Sequence, residues 1–463
     1  MFLICLFLFI LVAPLAVFWS QGYRFDFESR KISQTGGLFL KVIPRQVNVY
    51  IDGKPNKRTD FFFGSLLIEN LLPKKYNVTV VKEGYHSWEK NLEIKEKEVT
   101  EIKNIVLFPK NVNFNLLSGR VKDFWFSPDQ RKIIIKEIQE KESSLLTDEN
   151  ESKEYNWSLK LYDLNKNVRS HLVEENDFFS PEVELINLYF SEDSKKIYLE
   201  VKIKNKERYF ELNLEETRPT LIEIKFIFPA LEDLVAWRQI NDQLYYLDNS
   251  GHFFKVRGAP LSPQEWNSLK QETKLSFALS DFLENYPEKE KLSAEPFLFN
   301  KDAQYDLKIF QNFIFLQEND TLFKFNSESK VFEYFFEKIN SLKISPDNKK
   351  LAYFSDHEIW LLFLSDKKDF PARKEGEKVF LIRLSEKIID LSWINSDYLI
   401  FSTEDKIRIS EINDQDRVNI IDFFEIKKLS QKGSFLKMFF NQFNKKLYFL
   451  KDRDLYSFEA LVF

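Results

Sequence analysis

The sequence predicts a mainly β protein in three parts: an apolar N-terminal helix, a small β-sandwich, and a ring of repeated four-stranded sheets, a β-propeller. Three observations predict it. Residues Phe2 to Trp19 form an 18-residue run without a charge. Between Gly36 and Pro109, short β-prone runs alternate with turn residues at regular intervals, the pattern of a small all-β module. From Val112 onward, an apolar run, a polar turn and a second apolar run recur down to the C-terminus. A unit of that kind cannot bury both faces alone, so neighbours must stack.

The run Phe2 to Trp19 is rich in Phe, Leu, Ile and Val and reaches the length needed to cross a bilayer. It exceeds the apolar core of most signal peptides, and Trp19-Ser20-Gln21-Gly22-Tyr23 makes a poor cleavage site. A membrane anchor over residues 1–23 is therefore expected, with a cleaved signal peptide as the alternative. Trp19 and Tyr23 suit a membrane interface, Arg24, Arg30 and Lys31 flank it, and Pro14 is tolerated within such a helix. No Lys or Arg precedes the run, so charge does not fix orientation; a start upstream of Met1 would supply the missing basic residues. Cys5 is the single cysteine and lies inside the run, so the remaining chain forms no internal disulfide. Residues 24–35 read as a juxtamembrane linker.

In the module at 36–109, Asn48-Val49-Tyr50-Ile51 ends at Asp52-Gly53, a dipeptide that accepts positive φ. The run Tyr76 to Val81 ends at Glu83-Gly84, followed by Tyr85 and Trp88. In the order Pro44, Val49 to Gly53, Leu71-Leu72-Pro73, Tyr76, Lys82 to Tyr85 and Trp88, this stretch resembles the PEGA domain, a small β-sandwich of surface and envelope proteins. It departs at two turns: the naming tetrad is Pro44-Arg45-Gln46-Val47, and Lys74 stands where a Gly is usual. The resemblance implies an extracytoplasmic position and names no reaction.

The repeat is clearest in three copies, at Ser127-Pro128-Asp129-Gln130-Arg131-Lys132, Ser191-Glu192-Asp193-Ser194-Lys195-Lys196 and Ser345-Pro346-Asp347-Asn348-Lys349-Lys350, each between apolar runs. Pro presets φ and Asp bonds the local backbone; the fourth position favours Gly or Asn, which Asn348 meets better than Gln130 or Ser194. Unit starts fall near residues 121, 186, 234, 307, 340, 388 and 435, with a recurring spacing of about 47, the length of a propeller blade. The region 110–463 is similar to the propellers of Tol-type and WD-repeat-like proteins. About seven blades are expected, six or eight being compatible, with Asn111 to Leu117 available to complete the last blade. Two insertions interrupt the repeat. Ile138 to Asn156 reads as a polar loop. Residues 260–292 read as a helical decoration, with Ser262 as N-cap, Pro263 at the first helical position and Glu265 closing a capping box.

Composition limits the chemistry. The 463 residues suffice for two or three domains. Net charge is −5 and 30% of residues are charged, which gives no basic surface for nucleic acid. The 48 Phe residues fit an AT-rich coding bias better than a ligand signal. The four histidines, His86, His171, His252 and His357, share no metal-ligand spacing. No Gly-x-Ser-x-Gly elbow, phosphate-cradling Gly loop or EF-hand pattern exists, and Asp414-Gln415-Asp416 and Asp452-Arg453-Asp454 read as turns. No catalytic, cofactor or metal residue is assigned. Aromatic side chains are the remaining contacts for a ligand or partner: Trp125, Trp237 and Trp393 in leading strands of units, and Trp266 in the insertion. Core packing is the simpler role for the first three. The expected function is a non-enzymatic, single-pass membrane-anchored envelope protein whose propeller binds a protein or a cell-wall polymer. A structural spacer and a glycan-active enzyme are the alternatives. The sequence leaves partner identity and oligomeric state open.

Overall fold

In the computed structural model, the described residues are 2–27, 30–140, 155–180, 183–191, 193–204, 206–216, 219–224, 234–240, 243–257, 289–369, 371–426 and 437–458. The first element is α1 (Phe2–Ser20), with Pro14 inside it. Among the described residues, no helix is long and apolar enough to cross a membrane, so the expected anchor rests on the sequence of α1. Most of the expected linker lies in a hairpin, in which β1 (Tyr23–Asp26) and β2 (Lys31–Gln34) pair antiparallel.

The sandwich follows, with β3 (Gly36–Ile43), β4 (Asn48–Ile51), β5 (Lys54–Arg58), β6 (Ser65–Leu71), β7 (Lys75–Val81), β8 (Trp88–Glu93) and β9 (Val99–Val106). One sheet runs β6-β3-β9, with β9 parallel to β3; the other runs β5-β4-β7-β8. The alternation read in the sequence sets the faces: Tyr76, Val78 and Val80 of β7 are buried while Lys75 is exposed. Leu38, Leu40, Val42, Val49, Val78 and Val80 close the core with Trp88 and Leu92. Asp52 (φ 47°) and Gly53 (φ 72°) both take the left-handed region between β4 and β5, as a tight hairpin turn requires. Gly64, at φ 66°, has no room for a side chain, since a Cβ would stand 2.4 Å from the Val42 carbonyl oxygen.

From β10 (Phe114–Ser118) to Phe458, the described residues form seven four-stranded antiparallel sheets in chain order. Their leading strands are Val121–Phe126, Val183–Phe190, Leu234–Ile240, Tyr305–Phe310, Ser341–Ile344, Asp390–Asn395 and Lys437–Asn441. The three Ser-x-Asp turns share one construction. In the first, Ser127 Oγ donates to Asp129 at 2.6 Å and accepts the Lys132 N–H at 3.0 Å. In the third, Ser345 Oγ donates to Asp347 at 2.5 Å and accepts from Lys350 N at 2.9 Å. The fourth position has positive φ in every copy, at 58° for Gln130, 59° for Ser194 and 57° for Asn348. Gly is therefore dispensable there because the Ser hydroxyl and Asp carboxylate tie the turn from both sides.

Neighbouring sheets share cores. One cluster joins the first and second sheets through Trp157, Leu159, Leu188 and Leu199. Others join the third with the fourth, the fourth with the fifth, and the fifth with the sixth. The seventh sheet packs on the first through Tyr448, Leu450, Phe124 and Ile133. It also takes its outer strand from the front of the array, because β10 pairs antiparallel with Asp454–Phe458. The turns lock together as well: Asn441 Nδ2 donates to the Gln130 carbonyl at 2.8 Å, and Lys132 Nζ to the Ser194 carbonyl at 2.6 Å.

Two expected insertions shrink. Residues 138–140 and 155–156 belong to paired strands, where Ile138 faces Trp157 across the ladder; the centre of that loop lies outside the described residues. The helical reading of 260–292 also falls mostly outside them. Its last part is corrected, since Lys289–Lys291 form the fourth strand of the third sheet.

Candidate functional site: the cleft between sandwich and sheet array

The sandwich is bolted onto the sixth sheet. In β8, Trp88, Lys90 and Leu92 fall on one face by strand alternation, and all three are buried. A lysine in this register must carry a partner to offset its desolvation. Lys90 finds one: its Nζ lies 3.0 Å from Glu411 Oε1, with the two side chains 0% and 5% exposed. The same ammonium donates to the carbonyls of Asn413 at 2.6 Å and Gln415 at 2.9 Å. Burial pushes the Lys90 pKa down, and the Glu411 carboxylate opposes that push. Glu411 also accepts from Trp88 Nε1 at 3.0 Å and from the Asn419 amide nitrogens at 2.7 and 2.9 Å.

A second bond set flanks this pair. Asp416 accepts the Asn91 N–H at 2.9 Å, and this bond, together with a side-chain bond from Asn91, holds its carboxyl below the usual range. The Tyr398 hydroxyl oxygen accepts the Val106 N–H at 3.0 Å, and burial raises its pKa well above the ordinary value. The Phe108 ring meets Tyr398 and Phe423 edge-on, with centroids 5.3 and 6.4 Å apart.

Beside these contacts lies a cleft of about 570 Å³. One wall is β9 with the residues just before it, and the facing wall comes from loops of the fifth and sixth sheets that include Lys367, Arg373 and Asp414. Arg373 is forked onto Asp414, with Nη2 to Oδ1 at 2.7 Å, and reaches Glu377 at 2.8 Å. In the cleft lining, burial raises the Asp397 pKa against the pull of Lys350, Lys367 and a hydrogen bond from Asn104. Burial likewise lowers the Lys367 pKa. The cleft lining carries eight carboxylates and five cations, so its field is acidic. Among the described residues, no cluster of three His, Cys, Asp or Glu is placed to hold a metal ion.

Three of the four tryptophans singled out in the sequence are among the described residues, and each lies in a different sheet. Trp125 packs, part-buried, on the core between the first and second sheets, with Lys437 Nζ 5.3 Å above its ring. Trp237 is part-buried in the leading strand of the third sheet. Trp393 is 4% exposed and donates to the Lys343 carbonyl at 2.8 Å, a packing role between the fifth and sixth sheets. Trp266 lies outside the described residues. Sequence reasoning missed Lys90 and Glu411, which pair across more than 300 residues of chain, and Tyr398, which bonds Val106 across 292. One local signal existed: a lysine between Trp88 and Leu92 in the buried register of β8.

Residues 35–107 match the PEGA domain family. No curated protein matches the chain. Among solved structures, YCF48 from Cyanidioschyzon merolae is 9% identical, covers 75% of this chain and 98% of its own, and superposes with a TM-score of 0.42. KlHsv2 with loop 6CD replaced by a Gly-Ser linker is also 9% identical, covering 73% of this chain and 90% of its own, with a TM-score of 0.36. Both neighbours are β-propellers.

Proposed function

We propose that this chain is a membrane-tethered, extracytoplasmic, non-enzymatic binding scaffold. In this reading α1 is the anchor, the PEGA-like sandwich is the stalk, and the seven sheets close into a seven-bladed propeller held in one orientation. The observation that carries the reading is the buried Lys90–Glu411 bolt. A desolvated ion pair tolerates little change of geometry, so the Lys90–Glu411 pair favours one orientation of the sandwich on the sixth sheet. Ring closure is supported by the strand that β10 lends to the seventh sheet and by the core that the seventh sheet shares with the first. Closure also removes exposed sheet edges.

Two features support the tether. At 1.5 Å per residue, the 19 residues of α1 span roughly 28 Å, close to the hydrocarbon thickness of a bilayer. Phe9, Ile10, Phe18 and Trp19 are each more than half exposed, so the protein itself does not cover them. The hairpin then continues that apolar surface. Phe18 meets Tyr23 edge-on at 5.4 Å, Phe25 meets Phe27 at 5.0 Å, and Ile32 stands opposite Phe25 in the ladder. Arg24 stacks 3.5 Å over Trp19, an arrangement suited to headgroup depth.

Cell fractionation tests the reading. The full chain is expected to stay in the membrane pellet after an alkaline carbonate wash, and a chain lacking residues 1–22 to become soluble. Protease added outside intact cells is expected to digest the propeller. A full chain that washes off the membrane, or that is protected from outside protease, contradicts the proposal.

A further inference from the structure

The inner wall of the cleft is a sheet edge without a partner. Among the described residues, β9 pairs with β3 on one side and with no strand on the other. The equivalent edge of the second sheet, β8, is capped, because Asp416 accepts the Asn91 N–H and Lys90 holds the opposite loop. Among the described residues, the outer edge of β9 is held near its C-terminal end, where Tyr398 takes the Val106 N–H and the Asn104 side chain bonds Asp397; nearer its start, the Thr100 hydroxyl donates to the Glu93 carbonyl at 2.9 Å and leaves the β9 main chain open. Val99 to Lys103 therefore present about 17 Å of unpaired backbone to the cleft. An open edge of this length is a template for strand pairing. Here the edge lines a cleft of about 570 Å³ whose opposite wall is built by loops of the fifth and sixth sheets, a space on the scale of a short peptide and far smaller than a folded second sheet.

We infer that the cleft binds an extended polypeptide segment, which adds to β9 as a fourth strand of the β6-β3-β9 sheet. Main-chain hydrogen bonds to β9 supply affinity, and the side chains that alternate toward the facing wall supply selectivity. The acidic excess of the lining favours a segment carrying Lys or Arg. The Arg373–Asp414 fork fixes the facing wall, so the slot is preformed and little ordering is needed on binding. This assignment names the partner class for the binding role proposed above and rests on that role. It does not involve the membrane, so its failure leaves the anchor and the bolted interface standing.

The test uses the purified full chain in detergent and a phage-displayed library of random 12-residue peptides. A selected peptide is then synthesised in three forms: unmodified, and N-methylated at alternate residues in each of two registers. Methylation in one register is expected to abolish binding, and in the other to leave it nearly unchanged, since only alternate amides of an added strand point at its neighbour. Amide exchange of alternate residues in Val99 to Lys103 is expected to slow at least tenfold with the unmodified peptide. The exposed pair Glu101→Gln with Asp369→Asn is expected to weaken binding three- to tenfold. The inference is overturned if no peptide binds more tightly than about 100 μM. It is also overturned if both methylated forms bind like the parent, or if exchange protection falls outside β9.

Discussion

Replacing Lys90 with Met is expected to destabilise the chain by about 3–5 kcal/mol, the usual cost of leaving one partner of a buried ion pair without its counter-charge. Met keeps most of the side-chain volume, so the loss reports the charge and not a cavity. Glu411 would stay buried with only the Trp88 and Asn419 donors, and the Asn413 and Gln415 carbonyls would lose their ammonium. Denaturant unfolding measures the loss. Limited proteolysis locates it, because a released sandwich exposes the connection at residues 107–113. The double variant Lys90→Met with Glu411→Leu should recover part of the stability, since an apolar pair of similar volume replaces a desolvated one. A Lys90→Met loss below about 1 kcal/mol would mean that the pair is solvated and the bolt is not the source of rigidity.

Phe114→Ala is the second large effect. Phe114 belongs to β10, the strand that joins the front of the array to its end. Its ring meets Phe424, Phe449 and Phe458 at centroid distances of 4.4, 4.9 and 5.3 Å. Phe114 is part-buried, so truncation removes all three contacts and opens a gap between the sixth and seventh sheets, at an expected cost of about 2 kcal/mol. The effect should be local in its first stage. Amides of Asp454–Phe458, which pair with β10, should exchange faster than those of the second and third sheets. Uniform acceleration across all seven sheets would show that the array melts as one unit and has no weak seam at β10.

The repeat was legible because its signal is local. Apolar alternation and the Ser-x-Asp turns place strands at Val121, Leu234 and Tyr305 within a few residues of where the spacing puts them. The sandwich was legible for the same reason, through Asp52-Gly53 and the alternation around Val78. The leading strand of the second sheet begins at Val183, three residues before the expected start at Ile186, since strand ends depend on pairing and not on composition. The hairpin at Tyr23–Asp26 and Lys31–Gln34 was missed, because Arg24, Arg30 and Lys31 read as membrane-flanking charge. The cleft was missed for a different reason. Its walls join residues near 100 to residues near 370 and 414, and no periodicity records which loops of a ring face an appended domain. Asp414-Gln415-Asp416 was read as a turn; the chain is irregular at Asp414 and bends at Gln415 and Asp416, and the Asp416 carboxylate binds Asn91. Of the tryptophans, Trp393 is a packing residue between the fifth and sixth sheets, and the cleft is lined by many charged side chains instead.

The central claim is that the sandwich and the propeller form one rigid body at the membrane. Pulsed electron paramagnetic resonance tests it most directly, on the full chain in a lipid nanodisc with Cys5 replaced by Ser. Spin labels go on two exposed sites, Lys54 in the sandwich and Lys206 in the second sheet. A single narrow distance distribution, broadened by Lys90→Met, is the predicted result. A broad distribution in the unmodified chain, unchanged by Lys90→Met, would contradict the account and leave the sandwich as a loose tether.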